Sequence, residues 1–295
     1  MTTTLIILNY NDAARTADLV KKVSGYSSLD HIVVVDNGST DDSAEVLSGL
    51  SGGQIHFISR DTNGGYAKGN NTGILFALNK LKSDIIFIAN PDVYFTDETA
   101  AAMASALSEH SEYGSIAPLV SKGYNVWHLP GFLGILVSLF LFAFTFEKMA
   151  VRKKIEDSGN EIVPVGVVEG SFFAVRAEAI KKAHGFDERT FLYAEEIILS
   201  FRLRAKGYLT GVLPGESYDH LHSASIKKLY KSSKAAAFHH FRDSFRIYNK
   251  YYLKTGPLQD LIFEICWKLG FFERKLYDLF LSRRIRSSVP SSDKK

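Results

Sequence analysis

Cysteine is nearly absent from this sequence of 295 residues. The single one, Cys266, excludes an internal disulfide and any cysteine-rich metal site, and its apolar neighbours indicate a packing role. The first residues, MTTTLIILNYND, lack the basic segment and the small-residue cleavage site of a secretory signal. These absences predict a protein that stays in the cytoplasm.

Familiar nucleotide, metal and nucleic-acid motifs are missing as well. The glycine-rich segment NGGYAKGNNTGI follows neither the GxGxxG nor the GxxxxGK[ST] pattern, which argues against a dinucleotide fold and a P-loop ATPase. No HExxH motif is present, so zinc is not expected. Without a helix-turn-helix, zinc-finger or RNA-binding signature, nucleic acid is not an expected partner.

One long apolar run, GFLGILVSLFLFAFTF at residues 131–146, is almost uncharged. It is shorter than the roughly 20 residues that a membrane-spanning helix needs. Two readings stay open: a core helix, or a segment that contacts a membrane or a lipid-linked substrate. The following EKMAVRKK favours the second, so residues 131–154 are predicted to be a membrane- or acceptor-proximal insertion in a domain of residues 1–225.

The first half of the chain alternates short apolar runs with longer mixed segments. LIILNY, HIVVVD, IHFIS, DIIFIA and SIAPLV read as strands, and the segments between them read as helices. This alternation predicts an α/β fold with a mostly parallel sheet. HIVVVD and DIIFIA are continuously apolar, as strands covered on both faces are, and are expected at the sheet centre.

Polar residues cluster where these strands end. Asn9 and Asn11, residues 36–39, Asn90 and Asp92 each follow an apolar run. In parallel sheets, ligands bind beyond the carboxyl ends of the strands, so a pocket is expected there. Asp92 could hold a divalent cation over a diphosphate, although an Asp after Asn-Pro is also a good turn residue.

The C-terminal part is basic. From residue 226 onward the chain has 16 Lys or Arg and 6 Asp or Glu, a balance of +10, while the rest carries −7. Residues 226–286 read as helices, broken at Gly256 and Pro257, whose aromatic residues alternate with cations as in helices that lie on anionic lipid. We expect peripheral association with the inner face of the plasma membrane, and a disordered tail at residues 287–295.

Other polar residues have two readings each. Glu195 and Glu196 begin a predicted helix, where one could act as general base or both could be helix-start acids without chemistry. His220 and His222 would share a face of a strand and could bind a metal, although surface histidines are commoner. Lys68 could contact a phosphate or only solvent.

Taken in order, six segments resemble the family 2 glycosyltransferases, especially the rhamnosyltransferase-like branch of bacterial surface-polysaccharide synthesis. They run from residue 4 to residue 225: VVVDNGSTDDS, NGGYAKGNNTGI, NPDV, EGSFFAVRAEAI, GFDERTFLYAEEIILSFRLRAKGY and HLHSAS. The resemblance implies a GT-A fold, an inverting mechanism, a nucleotide-diphosphate sugar donor and a divalent cation, Mg or Mn. It also implies a lipid-linked glycan acceptor and a donor such as dTDP-rhamnose, with a UDP-sugar donor (galactofuranose, GlcNAc or another hexose) as the alternative.

The resemblance also assigns residues. Asp92 takes the place of the metal-binding Asp of the DxD motif, with Asn90 where the first Asp would be, and His220 matches the histidine of an HxxxxS motif. Glu196 inherits the position of the catalytic Asp, while Ile198 replaces a further acid. The implied set is, for catalysis, Glu196 and Glu195; for the nucleotide, Leu8, Asn9, Asn11, Asp36, Asn37, Gly65, Lys68 and Asn71; for the metal, Asp92 and His220; for the donor and acceptor pocket, Asn90, Pro91, Glu169, Gly170, Tyr193 and His222.

Two other functions are alternatives to a glycosyltransferase. A sugar nucleotidyltransferase would have a similar sheet but should show a GxGTR-like loop near the N-terminus, which this chain lacks. A catalytically degenerate glycosyltransferase-like binding protein is suggested by the departures at Glu196 and Ile198. The donor, the acceptor and self-association into a homo-oligomer are left open.

Overall fold

The structure is a computed structural model that describes residues 1–221 and 234–288. The strands are β1 (Thr3–Asn9), β2 (His31–Asp36), β3 (Ile55–Ser59), β4 (Ile85–Ala89), β5 (Val93–Tyr94), β6 (Tyr113–Val120), β7 (Val126–Trp127), β8 (Val163–Val165), β9 (Val167–Val168), β10 (Phe172–Arg176) and β11 (Leu209–His220). The helices are α1 (Ala13–Val23), α2 (Ser43–Ser48), α3 (Gly65–Phe76), α4 (Asp97–Glu109), α5 (Phe132–Ser138), α6 (Leu141–Glu156), α7 (Ala177–Lys182), α8 (Glu195–Ala205), α9 (Lys234–Tyr248) and α10 (Pro257–Ser288). Short π-helical segments follow α3 and α9.

The central sheet is mixed. Its order is β3-β2-β1-β4-β10-β6-β11-β5, with β8 paired to β11. The four strands from β3 to β4 are parallel, β10 runs antiparallel between β4 and β6, and β11 is parallel to β6. The parallel strands β3, β2, β1 and β4 all direct their carboxyl ends to one edge, where the predicted pocket residues lie.

The five predicted strands are all present, but one lies further out than expected. β4 is near the centre of the sheet, as predicted, whereas β2 is next to the edge strand β3. The apolar run of β2 is continuous because helices cover both of its faces, and five of its six residues are buried. A buried strand need not be a central one.

Helix α3 packs unusually close to the sheet through its glycines. A Cβ atom at Gly69 would lie 2.4 Å from Leu8 Cδ1, and one at Gly73 would lie 2.6 Å from Ile6 Cγ2. These glycines of the segment NGGYAKGNNTGI therefore allow the helix to approach β1 closely.

The C-terminal helices share a core with the sheet domain. Phe245 of α9 and Trp267 of α10 are buried in one apolar cluster with Ile135 of α5 and Ile198 of α8. In the loop before α8, Asp187 accepts a hydrogen bond of 2.6 Å from the Tyr252 hydroxyl. Residues 234–288 therefore help to hold α8, while the predicted domain boundary at residue 225 stays a prediction.

The apolar run at 131–146 forms two helices rather than one. Leu139 is fully buried at the junction of α5 and α6, whereas Leu133, Phe142 and Phe146 are 76%, 59% and 68% exposed. Across the described ranges, no single helix is long and apolar enough to cross a membrane; α5 and α6 pass that test only as a pair, bent by 114°. One part of the segment is therefore core and another is an exposed apolar surface, while contact with a membrane or a lipid-linked substrate stays a prediction.

The chain ends differ in part from the prediction. The break between two C-terminal helices at Gly256 and Pro257 is confirmed. Residues 287 and 288, which were predicted to be disordered, are helical, because α10 extends to Ser288. Residues 289–295, and the predicted helical residues 226–233, lie outside the described residues.

Candidate active site

A cavity of about 460 Å³ opens at the carboxyl ends of β1, β2 and β4. It brings together most of the residues that the sequence suggested. Those that line it are Leu8, Asn11, Asn37, Gly65, Asn90, Pro91, Asp92, Glu169, Gly170, Tyr193, Glu195, Glu196 and His220.

Asn9 and Asp36 are buried beneath the cavity and do not line it. Asn9 Nδ2 donates to Asp36 Oδ1 at 2.7 Å, and the Ser39 backbone N–H donates to Asp36 Oδ2 at 3.1 Å. The carboxylate of Asp36 therefore fixes the loop that follows β2, while its neighbour Asn37 reaches the cavity. Direct contact of Asn9 or Asp36 with a nucleotide stays a prediction.

Lys68 and Asn71 also lie away from the cavity wall. Lys68 is an exposed residue of α3. Asn71 is buried and holds the loop before α8, since its side chain accepts from the Phe186 N–H at 2.9 Å and donates to the Phe186 carbonyl at 3.0 Å. The structure gives Asn71 a loop-holding role, and phosphate contact by Lys68 stays a prediction.

Gly65 joins the glycine-rich loop to the segment that precedes the catalytic candidates. Its φ is +82°, and a Cβ atom there would lie 2.4 Å from the carbonyl oxygen of Phe191. The next residue, Tyr66, donates its N–H to that same oxygen at 3.0 Å. A glycine is required at this position because two backbone segments touch here.

Asp92 and His220 form a pair on the cavity wall. Asp92 follows β4 and His220 ends β11, and the pairing of β11 with β5 brings Asp92 Oδ1 within 3.3 Å of His220 Nε2. Burial lowers the pKa of His220, but the hydrogen bond and the charge of Asp92 outweigh it, so the net pKa is raised. His222 lies outside the described residues.

This pair fits part of a divalent-metal site. No cluster of three His, Cys, Asp or Glu side chains suited to a metal occurs within residues 1–221 and 234–288. Magnesium is commonly held by one or two protein ligands together with substrate phosphates and water. Asp92 would supply a carboxylate to such a cation and His220 an imidazole nitrogen, and the phosphates of a bound substrate would supply further ligands.

Glu195 and Glu196 are the first two residues of α8, and both line the cavity. The two residues before them, Tyr193 and Ala194, have φ values of +74° and +64°. Consecutive non-glycine residues in the left-handed region cost about 1–3 kcal/mol each and are concentrated at functional sites. The strained turn points the helix start, and with it the two carboxylates, at the cavity.

Both carboxyl groups have raised pKa values. Burial raises the pKa of Glu195 well above its usual range, and the charge of Glu196 adds to this. The pKa of Glu196 is raised to about 7, chiefly by burial; a backbone hydrogen bond opposes the increase, the charge of Glu169 adds to it, and Lys148 opposes it. A carboxyl group that changes protonation near pH 7 is suited to general acid–base chemistry.

This shift predicts the pH dependence of activity. If unprotonated Glu196 is the base, kcat/KM should increase about tenfold per pH unit below pH 7 and level off above it. Glu169→Gln should move the rise to lower pH, because it removes a negative charge that raises the pKa of Glu196. Rates at several pH values, for both proteins, check this; a flat profile from pH 5 to 8 would contradict it.

Several residues that line the cavity were not expected from the sequence. Tyr66 donates its hydroxyl to the Gly170 carbonyl and has a strongly raised pKa, chiefly because it is buried. Its position in the glycine-rich segment NGGYAKG was the available signal. The others that were missed are Tyr10, Asn63, Ser171, Phe191 and Leu192.

Comparison with known proteins gives three informative matches. Residues 4–182 match the family model "Glycosyl transferase family 2". The low-salt glycan biosynthesis hexosyltransferase Agl10 of Haloferax volcanii is 25% identical over 253 residues, which cover 85% of this chain and 76% of that protein. The N-acetylglucosaminyl-diphospho-decaprenol L-rhamnosyltransferase of Mycobacterium tuberculosis is 26% identical over 225 residues, 70% of this chain and 71% of that one.

A solved structure supports the fold. The mannosyltransferase PcManGT from Pyrobaculum calidifontis, in complex with GDP-Man and Mn²⁺, has a TM-score of 0.59 and 14% identity, covering 99% of this chain and 76% of that chain. The predicted GT-A-like α/β architecture with C-terminal helices is thereby confirmed.

Proposed function

We propose that this chain, which belongs to glycosyl transferase family 2 and is a nucleotide-sugar-dependent glycosyltransferase, inverts the anomeric centre of the sugar. We propose also that it depends on a divalent cation. One observation carries the proposal: a single cavity is lined by Glu196, whose pKa is raised to about 7 chiefly by burial, and by the Asp92–His220 pair. Transfer from a sugar diphosphate requires a base for the acceptor hydroxyl and a metal-binding group for the diphosphate, and this cavity holds a candidate for each.

In this mechanism Glu196 accepts the proton of an acceptor hydroxyl. The hydroxyl oxygen bonds to the anomeric carbon of the donor, and the bond from that carbon to the diphosphate oxygen breaks with its electron pair. The configuration inverts because attack and departure occur on opposite faces of the sugar. Raised by burial, the pKa of Glu196 matches this role better than that of an ordinary carboxylate, which is a weak base at pH 7.

The leaving group is the nucleoside diphosphate. Asp92 and His220 are the residues that would hold Mg or Mn, and a bound cation would neutralise charge that develops on the diphosphate. The structural relative PcManGT has Mn²⁺ in its complex, which supports a metal in this one.

For the substrates, we propose a sugar such as L-rhamnose from dTDP-rhamnose and a lipid-linked glycan acceptor. The mycobacterial relative, whose name gives a rhamnosyl donor and a diphospho-decaprenol acceptor, supports both; the archaeal hexosyltransferase supports a hexose donor as the alternative. Association with the inner face of a membrane is part of the proposal, supported by the exposed Leu133, Phe142 and Phe146 of α5 and α6.

Thermal denaturation with UDP, GDP, CMP and dTDP, each with and without Mn²⁺, tests the proposal. A ligand at 100 times its Kd adds about 2.7 kcal/mol to the free energy of unfolding. For a chain of this size that is a rise of several degrees in Tm. We expect one nucleotide to raise Tm in a Mn²⁺-dependent way; no shift with any of them would favour a protein that only binds other partners.

A further inference from the structure

A second cavity, of about 220 Å³, lies on the other side of the catalytic glutamate. Glu169, Tyr193 and Glu196 line both cavities. The remaining walls come from β7 with the loop that follows it, α5, α6, the start of α8 and α9. We call this space the aromatic cavity, after Trp127, Phe144, Phe241 and Phe245, which line it. We call the first cavity, of about 460 Å³, the donor cavity.

We propose that the aromatic cavity binds the sugar ring of the acceptor, the ring whose hydroxyl receives the transferred sugar. This inference rests on the proposed function and deepens it by assigning an acceptor subsite. Its first support is the position of Glu196. A base that lines two cavities can take a proton from a group held in one while the new bond forms to a carbon held in the other.

The second support is an indole N–H that has no partner. Trp127 is 4% exposed, and no acceptor for its Nε1–H is present among the residues that the structure describes. Leaving a buried hydrogen-bond donor without an acceptor destabilises the folded state, and a ligand that supplies the acceptor removes that cost. Because Trp127 lines the cavity, a sugar hydroxyl bound there could accept this hydrogen bond, while the apolar face of the ring lies on the aromatic wall.

The charges that line the aromatic cavity favour a neutral ligand over a phosphate. The Lys148 ammonium lies 4.2 Å from the ring centre of Trp127 and 4.6 Å from that of Phe144. Three carboxyl groups, of Glu147, Glu169 and Glu196, also line the space. One cation against three acids does not suit a phosphate, whereas a hydroxylated ring can donate to the carboxylates and accept from Lys148.

The surroundings suit an acceptor with an apolar tail. α5 and α6 form one wall of the aromatic cavity through Gly134, Ser138 and Phe144. The same two helices expose Leu133 and Phe146. A lipid chain attached to the bound sugar would find this apolar surface on the two helices that form the cavity wall.

The chain offers a direct binding test that needs no turnover. The sequence has two tryptophans, so Trp267→Phe leaves Trp127 as the only one. Its fluorescence would be followed during titration with octyl glycosides of glucose, galactose, mannose and N-acetylglucosamine, and with octyl phosphate as the anionic control. We expect saturable quenching by at least one glycoside and none by octyl phosphate; no quenching by any glycoside, or equal quenching by octyl phosphate, would overturn the proposal.

Kinetics give the second test, with the glycoside that binds best. Trp127→Phe keeps the ring and removes the N–H, and is expected to raise the acceptor KM about tenfold, while the Kd of the donor nucleotide, measured by calorimetry, changes less than twofold. Trp267→Phe is the matched control, because its indole N–H donates to the Phe238 carbonyl outside the cavity; it should leave acceptor KM unchanged.

The two proposals fail in different ways. If no nucleotide binds or no sugar is transferred, the proposed function is wrong, and fluorescence quenching still decides whether the aromatic cavity binds a sugar. If transfer occurs but Trp127→Phe and Lys148→Met both leave the acceptor KM within twofold of the original, the acceptor ring binds elsewhere and the inference is overturned.

Discussion

Replacement of Glu196 by glutamine is expected to lower kcat for sugar transfer by roughly 10³-fold, within the range that a positioned base contributes. Glutamine keeps the size and polarity of the side chain but cannot accept the proton. Donor binding should change little, because Glu196 does not belong to the Asp92–His220 pair. Initial rates of transfer and calorimetric titration with the donor nucleotide measure the two quantities.

The same variant should be more stable than the original protein at pH 8. The pKa of Glu196 is raised to about 7 in the folded state, so folding favours the protonated form. Stability is therefore lost as pH rises from about 4.5 to 7, and the cost remains above pH 7. Glutamine removes that cost, and Tm at pH 8 should increase while activity falls.

Glu195→Gln is the matched comparison, since the neighbouring carboxyl group is also buried and also has a raised pKa. We expect it to reduce kcat less than tenfold. If Glu195→Gln abolishes transfer and Glu196→Gln retains more than a tenth of it, the base is Glu195, and the assignment by position in the motif is wrong.

Asp92→Asn is expected to remove the Mn²⁺-dependent part of nucleotide binding and to lower kcat/KM by at least 100-fold. An amide has no negative charge to hold a cation, although it occupies the same volume. The measurement is nucleotide affinity with and without Mn²⁺. In the original protein the metal should strengthen binding, and in the variant the two affinities should agree within about twofold.

Asp219→Asn is the control for that change. Asp219 precedes His220 on β11, is exposed and does not line the donor cavity. Removing its charge should leave the effect of Mn²⁺ intact. If Asp92→Asn still shows a full metal effect, the cation is held elsewhere, and the Asp92–His220 pair serves only to join β4 to β11.

Much of the fold followed from patterns that a single segment contains. The apolar runs of β1 to β4 and β6 identified strands, since each was continuous and bounded by polar residues. The place of β2 in the sheet did not follow. Burial by helices makes an apolar strand, and burial alone does not distinguish a central position from one beside the edge.

The residues of the site also divide into those that a short motif indicates and those that no motif indicates. Asp92, Glu195, Glu196 and His220 were recognised because each belongs to a short motif at the end or start of an element, and all four line one cavity. The bonds that Asn71 makes to the backbone of Phe186 could not be foreseen, because the two residues are distant in sequence, and its contact with a nucleotide stays a prediction. Trp127 gave no signal because it belongs to no motif, and Lys148 was noted only as part of the basic segment EKMAVRKK.

The sequence by itself determined the family, the strand and helix types, and which carboxylates could carry the chemistry, because these depend on residue type and on spacing within short segments. Only the tertiary structure decided that Glu196 lies between two cavities and that Trp127 and Lys148 share one of them. The physical reason is that pKa shifts and cavity walls arise from burial among residues far apart in the chain, such as Trp127, Glu196 and Phe245.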